Sequence, residues 1–121
     1  MPIAASAALA SSISLGLNIA VLVPVCGSLL LRARWCDEAY GSPSSARGIL
    51  LSIYLAILAA SVVLLVVRRP DAVAALLAVQ IAYKVTTPLT VGTLHNPVVA
   101  SNLAIAAVHG VTVWLLLQAF G

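Results

Sequence analysis

Charged side chains are scarce in this sequence. Of its 121 residues only 7% are Asp, Glu, Lys or Arg, whereas 63% are hydrophobic. A soluble domain of this length covers its core with charge, and about a quarter of its residues are typically charged. A soluble fold is therefore excluded. The surplus of apolar surface predicts a single-domain integral membrane protein in contact with a lipid bilayer.

Basic runs and metal-binding motifs are also missing. The formal net charge of +3 comes from scattered residues, so nucleic acid is not expected as a partner. Cys26 and Cys36 form neither a C-x-x-C pair nor a zinc-ligand spacing, and a disulfide between them is open but not indicated. His95 and His109 are separated by a loop and several helical turns, which disfavours shared haem ligation. We predict no metal and no cofactor.

Long apolar segments make up most of what remains. Each is about 20 residues or longer, the length needed to cross the hydrocarbon core of a bilayer as a helix. The connection around Arg68, Arg69 and Pro70 is so short that it predicts antiparallel neighbours on either side of it. We therefore predict an all-α, integral membrane four-helix bundle with antiparallel up-down-up-down topology. Its predicted helices span residues 7–31, 46–67, 71–91 and 97–120.

The segment between the first two helices is the most polar part of the chain. We expect a solvated linker there, with Trp35 and Tyr40 as anchors at the membrane interface. Ser44 or Ser45 is placed to cap the second helix. Asp37 and Glu38 lie in this linker, but no nucleophile or metal motif accompanies them. No catalytic residue is predicted. A non-enzymatic protein is the favoured interpretation, and an enzyme stays open as the alternative.

The third helix carries a polar stripe into the membrane. Gln80, Lys84 and Thr87 recur at helical spacing with Tyr83 beside them, and Lys84 is the only lysine of the chain. Pro88 cannot donate to the carbonyl of Lys84, and we expect Thr87 to help satisfy that carbonyl.

Three interpretations of Lys84 stay open. It snorkels toward the first loop, with or without an ion pair to Asp37 or Glu38. Alternatively it forms the floor of a ligand or ion pocket, since an ionisable group at membrane depth is a functional hypothesis by default. Covalent use of the amine is the third interpretation.

The fourth helix adds Asn102 and His109, two turns apart on one face. His109 is interpreted as a hydrogen-bond partner of Asn18 or Gln80, or else as a ligand-binding group. Together these patterns predict a polar half-pocket that opens toward the first loop. Its candidate ligand-binding residues are Lys84, Gln80, Tyr83, Thr87, Asn102, His109, Asp37 and Glu38.

The layout resembles the DoxX-like superfamily of small four-helix bacterial membrane proteins. The residues that carry the resemblance are an acidic loop with a Tyr-Gly step and an arginine that begins the second helix: Asp37, Glu38, Tyr40, Gly41 and Arg47. The resemblance implies a bacterial membrane protein of a family whose activities are mostly unknown, with some members linked to redox or quinone-associated complexes.

A rival resemblance is to the small multidrug-resistance exporters, which have four helices and similar length. Those exporters depend on a membrane-embedded glutamate in the first helix. The first helix here contains Asn18 and no acid, which argues against proton-coupled export of cations. A lysine in the cavity suits an anionic or neutral polar ligand instead.

The leading interpretation is a non-enzymatic accessory subunit or small-ligand-binding module with its pocket around Lys84. The alternatives are a small-solute transporter or channel acting as an oligomer, and a redox-associated membrane subunit. A homo-oligomer or a membrane-complex partner is compatible with each. We expect a multi-pass protein of the bacterial inner membrane. Both termini are expected in the cytoplasm beside Arg68 and Arg69, although the arginine balance between the two sides is close.

Overall fold

A computed structural model of the chain describes residues 2–121 and confirms the all-α class. It contains five helices and, within those residues, no strand. The helices are α1 (Ile3–Leu30), α2 (Arg34–Tyr40), α3 (Ser45–Val66), α4 (Pro70–Val91) and α5 (Pro97–Phe120). By length and composition, α1, α3, α4 and α5 can each cross a membrane. The chain is thus a multi-pass membrane protein by the character of its helices.

The helix ends follow from local sequence. The Ser44 hydroxyl accepts a hydrogen bond from the backbone N–H of Arg47 at 3.1 Å, which makes Ser44 the N-cap of α3 as predicted. Pro70 occupies the first position of α4, where its missing N–H costs nothing. Gly92 ends α4 with φ of 87°, a left-handed conformation that glycine adopts without strain. Asn96 caps α5 by accepting from the N–H of Val98.

The short helix α2 corrects the prediction of a solvated linker. Cys36 of α2 is completely buried, in an apolar cluster with Leu29 of α1 and Tyr54 of α3. The Tyr40 ring packs against the Tyr54 ring with centroids 6.1 Å apart. An apolar cysteine and an aromatic ring lie on the buried side of α2, and their burial holds this helix against the ends of the long ones.

The long helices do not pack equally. α1 packs closely on α3 and on α5, and α4 packs closely on α5, whereas α3 and α4 contact each other only sparsely. α3 and α4, which the short connection predicts to be neighbours, are thus in contact but packed less closely than the other three pairs. Near α2 a cavity lies between them, lined by Leu50 and Tyr54 of α3 and by Tyr83 and Thr87 of α4.

Two apolar clusters occupy the ends of the helix assembly, and polar side chains lie between them. The cluster next to α2 includes Leu22 and Tyr54, while the opposite cluster includes Leu15 and Leu77. Asn18 lies between Leu15 and Leu22 along the buried stripe of α1. The outward faces are apolar, with side chains such as Ile49 and Leu89 largely exposed. Apolar side chains on the outside and polar side chains buried between the helices fit a protein surrounded by lipid.

Candidate functional site

One amide connects all four long helices. The Nδ2 of Asn18 in α1 donates to the Ser61 hydroxyl of α3 at 3.0 Å and to Oε1 of Gln80 in α4 at 2.8 Å. Its Oδ1 accepts from Nε2 of Gln80 at 3.1 Å and lies 2.9 Å from Nε2 of His109 in α5. All four residues are buried. Each bonding atom of the Asn18 amide is thus used, as burial of an amide requires.

This network determines which nitrogen of His109 carries a proton. The Ser61 hydroxyl donates to the backbone carbonyl of Ile57 at 2.7 Å, so its oxygen must accept from Asn18. The group of Asn18 that faces Ser61 is therefore the NH₂, and its carbonyl oxygen faces His109. Because that oxygen only accepts, Nε2 of His109 must donate. Nδ1 of His109 is buried without a partner, which fits the unprotonated nitrogen of this tautomer.

A second polar link lies one turn farther from α2. The hydroxyls of Ser14 in α1 and Thr112 in α5 are 2.7 Å apart, and both side chains are buried. Thr112 also has the carbonyl of Val108 within hydrogen-bond distance at 3.2 Å. A hydroxyl that can bond its own helix is easily buried, so this link adds contact between α1 and α5 at little cost.

Lys84 lies one turn from Gln80 on the α2 side of the network. Its Nζ donates to Oδ1 of Asn102 in α5 at 3.0 Å and lies 5.0 Å from the centroid of the Tyr83 ring. Nδ2 of Asn102 is 3.5 Å from the Thr87 hydroxyl. That hydroxyl donates at 2.7 Å to the carbonyl of Lys84, the acceptor that Pro88 leaves without its usual N–H. The predicted role of Thr87 is confirmed.

Neither predicted acid pairs with Lys84. The Arg47 guanidinium forms an ion pair with Asp37 and also donates to the carbonyl of Gly41 at 2.7 Å. Glu38 is exposed. Lys84 itself is only 5% exposed, so snorkelling to the surface is also wrong for this side chain. Asp37 pairs with Arg47 because the turn at Gly41 places the start of α3 beside α2.

Two cavities flank the Lys84–Asn102 pair. One has a volume of about 180 Å³ and is lined by Lys84, Asn102 and apolar side chains of α1 and α5 such as Val21 and Ile105. The other, also about 180 Å³, is the space between α3 and α4 and includes Asn102 in its lining. Tyr40 and Tyr54 line both cavities. Because Tyr40 belongs to α2, this short helix lies at the end of the helix assembly that contains both cavities.

The predicted site residues divide into three groups. Lys84, Tyr83, Thr87 and Asn102 come together, as expected. Gln80 and His109 belong to the Asn18 network one turn away, and the expected contact between His109 and Asn18 is confirmed. Asp37 and Glu38 lie outside the pocket lining around Lys84.

Two features of this region were not predicted from the sequence. Asn18 was identified only as a partner of His109, although it links three other helices. Arg47 was placed at a helix edge, yet it is 7% exposed. Its spacing of seven residues from buried Tyr54 is the signal that places both on one face of α3.

The cysteines are free thiols in one apolar cluster. Burial raises the pKa of the Cys36 thiol, against a lowering by the nearby Arg47, so this thiol is less reactive than an exposed one. Among residues 2–121, no three His, Cys, Asp or Glu side chains are grouped so that they could hold a metal ion.

Comparison of the chain with protein-family models, with curated proteins and with solved structures finds no match.

Proposed function

We propose that this protein is a non-enzymatic membrane module that binds a small anionic or strongly hydrogen-bond-accepting ligand at Lys84. In this proposal the four long helices form an antiparallel up-down-up-down bundle, and the ligand enters from the α2 side. The polar groups that contact it are the ammonium of Lys84 and the amide of Asn102. The Asn18 network holds the four helices in register one turn below.

The observation that carries the proposal is a buried ammonium without a counter-ion. The two ion pairs found among residues 2–121 are Arg47 with Asp37 and Arg69 with Asp71. The Nζ of Lys84 has three donors and a single hydrogen-bond acceptor, Asn102. A charge at membrane depth costs about 2.5–3.5 kcal/mol on insertion scales, and a buried donor without an acceptor adds to that cost. A bound anion relieves both costs.

The cavities define the class of ligand. At about 180 Å³ each, they fall below the roughly 300 Å³ at which pockets for drug-sized ligands begin. Apart from Lys84, their linings are mainly apolar, with hydroxyl and amide groups from residues such as Tyr54 and Asn102. A small carboxylate with an apolar body matches this arrangement, because its charged end reaches Lys84 while the body contacts Val21 and Ile105.

Fluorescence of Trp35 offers a direct test, because Trp35 lines the cavity that contains Lys84. Trp114, the other tryptophan of the chain, is replaced by phenylalanine so that Trp35 is the only reporter. Benzoate is titrated into the purified protein in a neutral detergent, with benzamide as the uncharged control of the same shape. We expect a saturable change with benzoate and a much weaker one with benzamide.

The variants identify the lysine as the anchor. Lys84→Met is expected to abolish the benzoate response while helix content is unchanged, since methionine preserves most of the side-chain volume. Arg69→Met removes an exposed cation at the opposite end and is expected to leave the response intact. The proposal fails if benzoate and a panel of other small carboxylates give no saturable response, or if Lys84→Met binds as the wild type does.

The cellular setting is part of the same proposal. We place the protein in the bacterial inner membrane with both termini and the Arg68–Arg69 turn in the cytoplasm, supported by the compactness of that turn. Homo-oligomerisation or association with a membrane complex, transport by an oligomer and a redox-associated role stay predictions. The DoxX-like resemblance also stays a prediction, because it depends on layout.

A further inference from the structure

A third cavity lies apart from the two beside Lys84. It occupies about 550 Å³ between the end of α1 and the start of α3. Its polar lining comes from Arg32, Ser44, Ser45 and Arg47, and its apolar lining includes Leu30 and Leu51. None of these residues lines the two cavities beside Lys84. The proposed function at Lys84 does not involve this cavity.

Arg47 contributes an unused donor to this region. The side chain is 7% exposed, and its Nη1 donates to Asp37 and to the Gly41 carbonyl. The other terminal nitrogen, Nη2, is buried without an acceptor. A guanidinium has five N–H donors in a fixed fork, a geometry that matches the oxygens of phosphate. The partner carboxylate of Asp37 is about half exposed, at 46%, and does not line the cavity.

The start of α3 adds backbone donors and a favourable dipole. α3 is 22 residues long and has no acid in its first turn. Ser44 satisfies the N–H of Arg47 with its hydroxyl and that of Gly48 with its carbonyl. The first N–H groups of a helix, here those of Ser45 and Ala46, have no acceptor within the helix. An anion at this position interacts favourably with those groups and with the helix dipole.

Arg32 completes the basic lining from the other wall. Its backbone has φ of 54°, the one positive value outside glycine among the described residues. A non-glycine residue in this conformation is uncommon and carries some strain. The turn that it forms at the end of α1 places an exposed arginine at the edge of the cavity.

We propose that this cavity binds the phosphate of an anionic phospholipid headgroup. The phosphate lies between Arg32 and the start of α3, with Arg47 as the buried donor behind it. The acyl chains run along Leu30 and Leu51 toward the hydrocarbon. Leu30 is 62% exposed, so an apolar path leads directly from the basic lining to the lipid-facing surface. The cavity lies where α1 ends and α3 begins, and the ends of membrane-spanning helices are the level at which lipid headgroups are found.

Native mass spectrometry of the full chain tests this proposal. The protein in a neutral detergent is titrated with dihexanoyl phosphatidylglycerol, with dihexanoyl phosphatidylcholine as the zwitterionic control of equal chain length, and separately with inorganic phosphate. We expect one saturable phosphatidylglycerol site and weak binding of the other two. Equal binding of both lipids overturns the proposal, and phosphate binding as tight as that of the lipid overturns its assignment to a lipid headgroup.

Arginine variants locate the site. Arg32→Gln is expected to weaken phosphatidylglycerol binding about tenfold, the effect of losing one charge-assisted hydrogen bond. Arg34→Gln, an exposed arginine two residues away that does not line the cavity, is the matched control and is expected to change it less than about twofold. Equal effects of the two variants overturn the site. Lys84→Met is expected to leave lipid binding unchanged, which separates this proposal from the one at Lys84.

Discussion

Among single substitutions in the helix core that preserve the shape of the side chain, Asn18→Leu is predicted to lower stability the most. The variant removes four side-chain contacts at once, one with Ser61, two with Gln80 and one with His109. Hydrogen bonds between membrane helices contribute about 0.6 kcal/mol each on average. Four of them amount to about 2.4 kcal/mol, or roughly a 50-fold shift in the folding equilibrium.

The assay is equilibrium unfolding in mixed micelles, in which the mole fraction of sodium dodecyl sulfate is raised and helix content is followed by circular dichroism. Ser52→Ala is the matched control, because Ser52 is exposed and its hydroxyl bonds only the Gly48 carbonyl of its own helix. We expect the control to change the unfolding free energy by less than about 0.5 kcal/mol.

A double-mutant cycle tests the pairing itself. Asn18→Leu and Gln80→Leu each leave the other amide without its partner, so the double variant is expected to cost less than the sum of the two single ones. Additivity within about 0.3 kcal/mol refutes direct pairing of the two amides. A wild-type unfolding curve for Asn18→Leu refutes the central role of this residue.

Three further predictions follow from local geometry. Ser44→Ala removes the cap of α3 and is expected to lower stability by about 1 kcal/mol in the same unfolding assay, whereas Ser45→Ala is expected to have little effect. Burial raises the pKa of Cys36 above its ordinary value of 9.0, so the folded protein keeps this proton to higher pH than the unfolded chain does. Stability is therefore expected to fall as pH rises above about 9, and Cys36→Ala is expected to reduce that slope; an unchanged slope contradicts this. The ¹⁵N chemical shifts of His109 are expected to show a proton on Nε2 and none on Nδ1, and the opposite tautomer contradicts the Asn18 assignment.

Features that depend on nearby residues could be predicted from the sequence. The serine before α3, the proline at the start of α4 and the apolar length of each long segment are local signals, and the structure contains each of them. The bond from Thr87 to the Lys84 carbonyl was predictable for the same reason, because Pro88 leaves that acceptor free within one turn.

The partners of the polar groups could not be predicted as well. α3 is apolar on nearly every side, so its sequence does not indicate which face turns inward. One interpretation of Lys84 was an ion pair with an acid of the first loop, but Asp37 pairs with Arg47, which the turn at Gly41 brings beside it. α2 has only seven residues, too few to show a helical periodicity in the sequence.

Cysteine accessibility at position 84 tests the central claim most directly. In a Cys26→Ala, Cys36→Ala background, K84C is exposed in sealed vesicles to a membrane-impermeant anionic methanethiosulfonate added from one side at a time. E38C and D71C report the α2 side and the opposite side. We predict that K84C reacts only with reagent added on the side where E38C reacts, and more slowly than E38C does. Modification of K84C from the side where D71C reacts contradicts the proposed pocket.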